Sequence, residues 1–260
     1  MDRVAALLAD LADETASLDA VIARLDDATL MSDTPAEGWT IVDQLSHLAG
    51  FDAAAVRAMV DPGGFAETVA SEQAAGIDPV ERFTELGREL EPHSVLDWWH
   101  SARHSLIAAA GGIDRSRRVP WYGPEMSVMS FLSARLMETW AHGQDIRDAL
   151  GVPAEPSQRL RHVAHLGVGA RAYSLRIHRL DGVEVPVFVE LTAPDGELWT
   201  WGEPSAADSV RGTALDFCLA VTQRRHLDDL ALDIVGAGAQ TWMSIAQAFA
   251  GGAGTGRPAR

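Results

Sequence analysis

The chain has 260 residues, 47% of them hydrophobic, and a formal net charge of −16. That is enough apolar material for one large cored domain or two smaller ones. The acidic balance, with no basic stripe anywhere, argues against nucleic acid as a partner. Lys and Asn are absent and all 21 basic residues are Arg, a codon bias expected of a GC-rich genome rather than a chemical signature. The single cysteine, Cys218, lies in the apolar run Leu215–Val221, excludes an internal disulfide and reads as a buried small hydrophobe. There is no basic-then-apolar leader, and no apolar stretch reaches the roughly 18 residues of a membrane span. The expected location is therefore reducing and cytoplasmic, away from the membrane.

From the N-terminus, Val4, Leu7, Leu8, Leu11, Leu18, Val21, Ile22 and Leu25 recur at spacings of three and four. This predicts an amphipathic helix over 2–27 with an acidic outer face. Pro35 and Gly38 place a loop at 28–39. Thr40 with Asp43 three later resembles a capping box, Asp standing for the usual Glu, and opens a second long helix that runs to about Val60. Asp61-Pro-Gly-Gly ends it, and 61–80 shows no firm period. A short helix is expected around 79–91, broken by Pro92, then a third long helix over 94–111. Residues 117–124 (Arg-Arg-Val-Pro-Trp-Tyr-Gly-Pro) form a stiff aromatic loop. A fourth long helix runs from near Ser127 to Gly151, and a fifth helix covers 157–175.

After Leu180 the texture changes. Val183–Thr192 alternates and is rich in Val, a strand pattern. Asp195-Gly196 marks a hairpin turn and Leu198–Trp201 the returning strand. Further strands are expected at Asp208–Arg211 and Leu230–Val235, with helices at Thr213–Gln223 and Trp242–Phe249. The organisation that follows is a helical bundle at 1–175, a small α+β domain at 181–250 and a Gly-rich tail at 251–260 that is expected to fray.

Glu138 and His142, in Met-Glu-Thr-Trp-Ala-His-Gly-Gln-Asp-Ile (137–146), stand four apart on the fourth long helix and share one face. His47, on the second long helix, would complete a set of two His and one carboxylate in a bundle core. Such a set offers three protein ligands to a divalent metal and leaves positions open, the pattern of a catalytic site. Zinc, iron, nickel and manganese all suit it. Asp145 falls on the same stripe, as a further ligand or as an acceptor for the ring N–H of His142. Asp43, four before His47, is placed to do the same there. Glu-x-x-x-His pairs are common on exposed helix faces, and His100 with His104 is a rival pair of equal spacing. His162 and His165 read as surface histidines. The pattern His-Glu-x-x-His is absent, so a protease of that type is not supported.

Three segments in order carry a resemblance: Gly-Trp-Thr-x-x-Asp-x-x-x-His (38–47), Val-Pro-Trp-Tyr-Gly-Pro-x-Met-Ser (119–127) and Arg-Leu-Met-Glu-x-Trp-Ala-His-Gly-Gln-Asp-Ile (135–146). Together they resemble the mycothiol-dependent maleylpyruvate isomerase N-terminal domain family, a branch of the DinB-like superfamily. Residues 210–250 resemble an actinobacterial subgroup of it, so the likeness covers nearly the whole chain. It implies a DinB-like four-helix bundle followed by a small C-terminal α+β domain. It also implies that His47, Glu138 and His142 bind a divalent metal, usually zinc. In the family an Arg of the C-terminal domain lies near the substrate, within a Gly-Arg element after that domain's first helix. The matching stretch is Thr222-Gln-Arg-Arg (222–225), where Gln223 replaces the Gly and Arg224 and Arg225 share the candidacy.

The function this implies is a metal-dependent transferase or isomerase that uses a low-molecular-weight thiol, mycothiol, on a small electrophilic substrate. The thiolate is the nucleophile, and an open metal position lowers the pKa of a bound thiol. Arg224 or Arg225 would hold a substrate carboxylate. Trp121 and Tyr122 are candidates for the wall of the cofactor pocket, against plain packing of the bundle end. Two other readings stay open. One is a non-catalytic binder of metal and a small ligand. The other is a metal-assisted hydrolase, with Asp43, Asp52 and Asp145 as the candidate bases.

Overall fold

Residues 2–180 and 185–259 are described by the computed structural model. They fall into two units, one ending at Pro153 and the other beginning at Ala154. The first holds α1 (Arg3–Ile22), a short α2 (Asp27–Leu30), α3 (Ile41–Val60), α4 (Pro62–Ala74), α5 (Pro79–Arg88), α6 (Pro92–Gly112) and α7 (Val128–Ala149). A two-residue ribbon, β1 (Arg118–Val119) antiparallel to β2 (Met126–Ser127), precedes α7. The long helices α1, α3, α6 and α7 form the bundle, with α3 against α6 and α7, and α1 against α7. Leu18, Ile22, Ile41, Leu45, Leu48, Val95, Trp99 and Ile146 make its apolar core.

Local chemistry explains where these helices begin. The capping box at α3 is present: Asp43 Oδ2 accepts from the Thr40 N–H (2.8 Å) and Thr40 Oγ1 accepts from the Asp43 N–H (3.3 Å). Asp-Pro-Gly-Gly ends α3 as expected, but it also starts α4, a helix that the missing period concealed. Asp61 Oδ1 accepts from the Gly64 N–H (3.0 Å), and Pro62 sits in the first turn, where its missing N–H leaves no bond unmade. The inward face of α4 is only Phe65, Val69 and Glu72. Pro92 likewise begins α6, two residues before the expected start.

Helix α5 packs on the start of α3 through a glycine. A Cβ built on Gly87 would lie 2.3 Å from Cβ of Ser46, so only Gly permits this approach. Arg88 then donates from Nε to Asp43 Oδ1 (2.8 Å) and from Nη2 to the Gly38 carbonyl (3.1 Å).

Both α3 and α7 are buried on nearly every side along the stretches that matter, so their polar side chains must find partners inside the bundle. Asp52 is fully buried. Its Oδ2 accepts from Arg103 Nε (2.7 Å) and its Oδ1 from Arg135 Nε (3.1 Å). Arg103 also donates to Thr15 Oγ1 (2.6 Å) and Thr139 Oγ1 (2.8 Å). One carboxylate thereby ties α1, α3, α6 and α7 together.

The second unit holds α8 (Leu160–Gly169), α9 (Arg171–Ile177), β3 (Val187–Thr192), β4 (Leu198–Trp201), β5 (Asp208–Thr213), α10 (Ala214–Val221), a 3-10 turn, β6 (Asp233–Val235) and α11 (Ala237–Met243). The sheet order is β4-β3-β5-β6, with β3 parallel to β5 and the other pairs antiparallel. The fold class is the expected one, a four-helix bundle followed by a small α+β unit.

Several boundaries differ from expectation. The fifth helix breaks at Ala170 into α8 and α9, and α8 packs on α10, where a Cβ on Gly167 would come within 2.6 Å of Val221. That packing places residues 160–177 with the second unit and not, as the boundary at 175 had it, with the bundle. The strand expected from Val183 is observed from Val187; Val183 and Glu184 lie outside the described residues. The last helix spans 237–243 instead of 242–249, because Asp208 of β5 caps it by accepting from the Ala239 N–H (2.9 Å). The Gly-rich end, expected to fray, is hydrogen-bonded to Gln247 through Gly252 and Gly254 and to the Arg224 carbonyl through Arg257. No described helix is long and apolar enough to cross a membrane.

Two stability outcomes follow. Gly87→Ala forces Ser46 and its helix aside and costs about 1–3 kcal/mol, read as a fall in the urea midpoint at unchanged slope. Asp52→Ala leaves two buried guanidiniums without their carboxylate and costs about 3–5 kcal/mol. Unfolding of either variant at the wild-type midpoint would show that the packing or the ion cluster is dispensable.

Candidate metal centre

The cap at Thr40 fixes the first turn of α3, and two turns on His47 points at α7. Its Nε2 lies 3.4 Å from Glu138 Oε2, and His142 Nε2 lies 3.1 Å from the same oxygen. The two imidazole centres are 4.3 Å apart. One ligand atom from each of the three residues falls within 4.8 Å of the others, the one such group among the described residues. Three residues from two helices, two of them paired by spacing and the third by the family motif, thus converge. The rival pair does not: His100 Nε2 meets Asp19 Oδ1 (2.7 Å), and His104 is exposed. On α8, His165 is exposed and accepts from Trp201 Nε1 (3.2 Å).

Burial lowers the His47 pKa to about 4, with the neighbouring His142 adding to the effect. Burial pulls Glu138 upward, but the two imidazoles that approach its Oε2 outweigh it and hold the carboxyl well below its usual range. At neutral pH the site therefore presents a neutral His47 and an ionised carboxylate, the protonation states a metal cation needs. Two imidazole nitrogens share one carboxylate oxygen, and a neutral imidazole carries one ring proton. Nδ1 of His47 is buried with no hydrogen-bond partner among the described residues. The set is rich in lone pairs and poor in protons, and its residues fit a divalent cation.

Aromatic rings enclose the centre. Trp39 stacks on His142 (5.9 Å, 14°) and tilts against His47 (5.4 Å). Phe51 lies 4.6 Å from the His47 ring. Trp121 and Tyr122 are half-buried and contact Phe51 at 6.0 and 5.5 Å and Phe65 at 5.7 and 5.6 Å. They reach the centre through Phe51. Tyr122 also lines an open pocket of about 200 Å³ with Gly50, Ala54, Phe65, Arg82 and Phe83.

The outer partners differ from expectation. Asp43 does not back His47: its Oδ2 is engaged by Thr40 and its Oδ1 by Arg88, because capping α3 claims the carboxylate. Asp145 is buried behind His142, but its Oδ2 is 4.0 Å from Nδ1, beyond hydrogen-bond length. Gln44 stands there instead, with Oε1 2.5 Å from His142 Nδ1. Sequence reasoning missed Gln44, whose one signal was its position three before His47 on the same helix face. It also assigned no role to Trp39.

Arg224 and Arg225 follow α10 in the second unit. Gln223 has φ +59, the left-handed conformation common at a helix C-terminus and usually given to Gly. The Arg224 N–H donates to the Leu219 carbonyl (2.8 Å), and its Nη1 to that of Thr222 (2.6 Å). Nη1 of Arg225 donates to the Arg224 carbonyl (2.6 Å).

A family model described as the mycothiol maleylpyruvate isomerase N-terminal domain matches residues 11–147, which include all three candidate ligands. A second, described as wyosine base formation, matches residues 184–233. Uncharacterized proteins from two strains of Mycobacterium tuberculosis are 45% identical over 253 residues, covering 96% of this chain and 97% of their own. Crystal structures of the mycothiol-dependent maleylpyruvate isomerase and of a histidine-to-alanine mutant of it are similar at a TM-score of 0.61 and 16% identity. They cover 88% of this chain and 92% of theirs. At that identity the likeness is one of fold.

Proposed function

The chain belongs to the mycothiol maleylpyruvate isomerase N-terminal domain family, and from that premise we propose a cytoplasmic, divalent-metal-dependent transferase or isomerase that uses mycothiol on a small electrophilic substrate. The observation that carries the reading is the convergence of His47, Glu138 and His142 on one space inside the bundle. Zinc is the expected ion. When bound, it supplies a Lewis acid with positions left open, which lowers the pKa of a thiol offered to it.

The chain's own residues do the rest. Ionised Glu138 and neutral His47 are in their ligating forms without a change of protonation. Trp39 and Phe51 cover the imidazoles and keep water from their faces. Cys218, the one cysteine, is buried, and burial raises its thiol pKa well above the ordinary value. It is no nucleophile, so the thiol comes from outside. Tyr122 lines the pocket and Trp121 packs against it at 5.1 Å, and both are assigned to the thiol cofactor.

For the substrate carboxylate, the left-handed turn at Gln223 favours Arg224 over Arg225. It has the conformation a Gly would take in a Gly-Arg element, so Arg224, the next residue, is assigned to that role. A hydrolase reading finds less support. The carboxylate oxygens of Asp43 and Asp52 are committed to the α3 cap and to arginines, which leaves neither as a base.

Elemental analysis of purified protein is expected to give about one divalent metal per chain, and Glu138→Ala or His142→Ala to lose it. Titrating mycothiol into the cobalt-substituted protein should raise a thiolate charge-transfer band. Full metal content in both variants would overturn the site, and a silent titration would overturn thiol use. With maleylpyruvate and mycothiol, Arg224→Ala should lower kcat/KM about 10–100-fold, the worth of one charged hydrogen bond, and Arg225→Ala much less. The reverse order would move the assignment to Arg225. Metal and thiol binding without turnover would mark a non-catalytic binder.

A further inference from the structure

We propose that Gln44 is a positioning residue that fixes the ring proton of His142 on Nδ1, through a hydrogen-bond relay whose direction is set by the backbone carbonyl of Trp39. The proposal deepens the metal-centre reading and rests on it for its consequence, though not for its geometry.

The argument starts from a group with no choice. A backbone carbonyl only accepts. The Trp39 oxygen accepts from the Thr34 N–H (2.7 Å) and from Thr34 Oγ1 (2.8 Å). The Thr34 hydroxyl proton is therefore spent on Trp39, and Oγ1 has only lone pairs left for Gln44, 2.9 Å away. That contact requires the amide nitrogen of Gln44 to face Thr34. Its oxygen must then face His142, where it lies 2.5 Å from Nδ1. An amide oxygen cannot donate, so Nδ1 carries the proton. In a neutral ring, Nε2 is then left with a lone pair, directed toward Glu138 and the space it shares with His47.

The relay is well protected. Gln44 is fully buried and Thr34 nearly so, so water does not compete for either contact. The loop that supplies Thr34 and Trp39 is closed by a bridge between Asp33 and Thr40 and turned by Gly38 at φ +75. The same Trp39 lays its indole over the His142 ring, so one residue orients that imidazole twice, by its carbonyl through the relay and by its ring directly. His47 has no such support, since its Nδ1 is buried without a partner among the described residues. The two histidines are thus unequal: His142 has its tautomer set through Nδ1, and His47 has no partner at Nδ1 to set its own.

The test uses metal-free full-length protein in two measurements. Ring 15N NMR should show His142 as the Nδ1–H tautomer, and Gln44→Met, close in shape but without the amide, should convert it to a mixture. Calorimetric titration with zinc should show Gln44→Met binding about 10–100-fold more weakly, and Gln44→Glu, which restores an acceptor, recovering most of that loss. Thr34→Val should weaken zinc less, and add nothing in the Gln44→Met background because the two act in series. A wild-type His142 in the Nε2–H form, an unchanged tautomer in Gln44→Met, or independent additive losses would overturn the relay. If the wild-type protein takes up no zinc, the metal-centre reading fails by itself and the ring 15N shifts still decide the relay. Should Gln44→Met not fold, Gln44→Glu and Thr34→Val carry the same two readouts.

Discussion

A helical stretch buried on nearly every side has little solvent to satisfy its polar side chains, and α3 and α7 both contain one. Every polar group on their inner stretches must be paired within the protein or leave a desolvated charge or dipole behind. Three solutions appear along them. Asp43 turns back to cap its own helix. Asp52 accepts from two arginines and so joins four helices. His47, Glu138 and His142 turn toward one another across the α3–α7 contact. The first two are matched at the carboxylate, each oxygen accepting from at least one donor. The third is not, since two ring nitrogens meet one carboxylate oxygen, and the imbalance is what distinguishes a ligand-binding set from a structural cluster.

Electrostatics keeps the three solutions separate. The chain as a whole is strongly acidic, yet the groups held inside the bundle next to the candidate centre include two guanidiniums. Arg135 lies one turn before Glu138 on α7 and within 5.9 Å of the Phe51 ring, and it disfavours a proton on His47 along with burial and His142. Asp52 neutralises part of that charge at close range, and its own oxygens are held on the arginines. Glu138 is left as the acid that both histidines meet through Nε2. A single buried carboxylate thus serves both stability and site selectivity.

How much of this was legible in the sequence depended on whether the signal was local. Four apart on one helix is a local fact, and the side chains of Glu138 and His142 do meet on that face. The Thr40–Asp43 box is also local, and it gave the start of α3 to the residue. Pairing His47 with them needed two helices to face each other, which spacing alone could not distinguish from the His100–His104 alternative; the family motif made that choice. What escaped was either ambiguous or remote. Asp61-Pro-Gly-Gly reads as a stop, and is one, but the same four residues are also a good N-terminal cap. Asp208 caps α11 from another strand, so no window around residue 237 contains the reason that helix starts there. Asp43 looked like a partner for His47 because it lies one turn away, but a capping box uses the same carboxylate and forms with its own helix. Gln44 carried no pattern of its own, and its role exists only because Thr34, ten residues earlier, has its proton committed elsewhere.

Gln223 takes a left-handed conformation that glycine adopts most easily. A non-Gly residue at φ +59 costs on the order of 1–2 kcal/mol from the approach of Cβ to the following carbonyl oxygen. The Gln side chain offsets this by donating from Nε2 to the Ala246 carbonyl (3.2 Å), a contact that Gly cannot make. It also packs so closely on Gly254 that a Cβ there would lie 2.1 Å from its Oε1. The C-terminal segment is thus drawn onto the end of α10, and Arg257 donates to the Arg224 carbonyl (2.9 Å) from the same segment. The turn that a glycine would make by freedom is here made by anchorage. The backbone of Arg224 is held at both its N–H and its carbonyl, so its side chain starts from a fixed point. A side chain with such a fixed origin has less freedom left to lose on binding than one carried by a longer, looser loop.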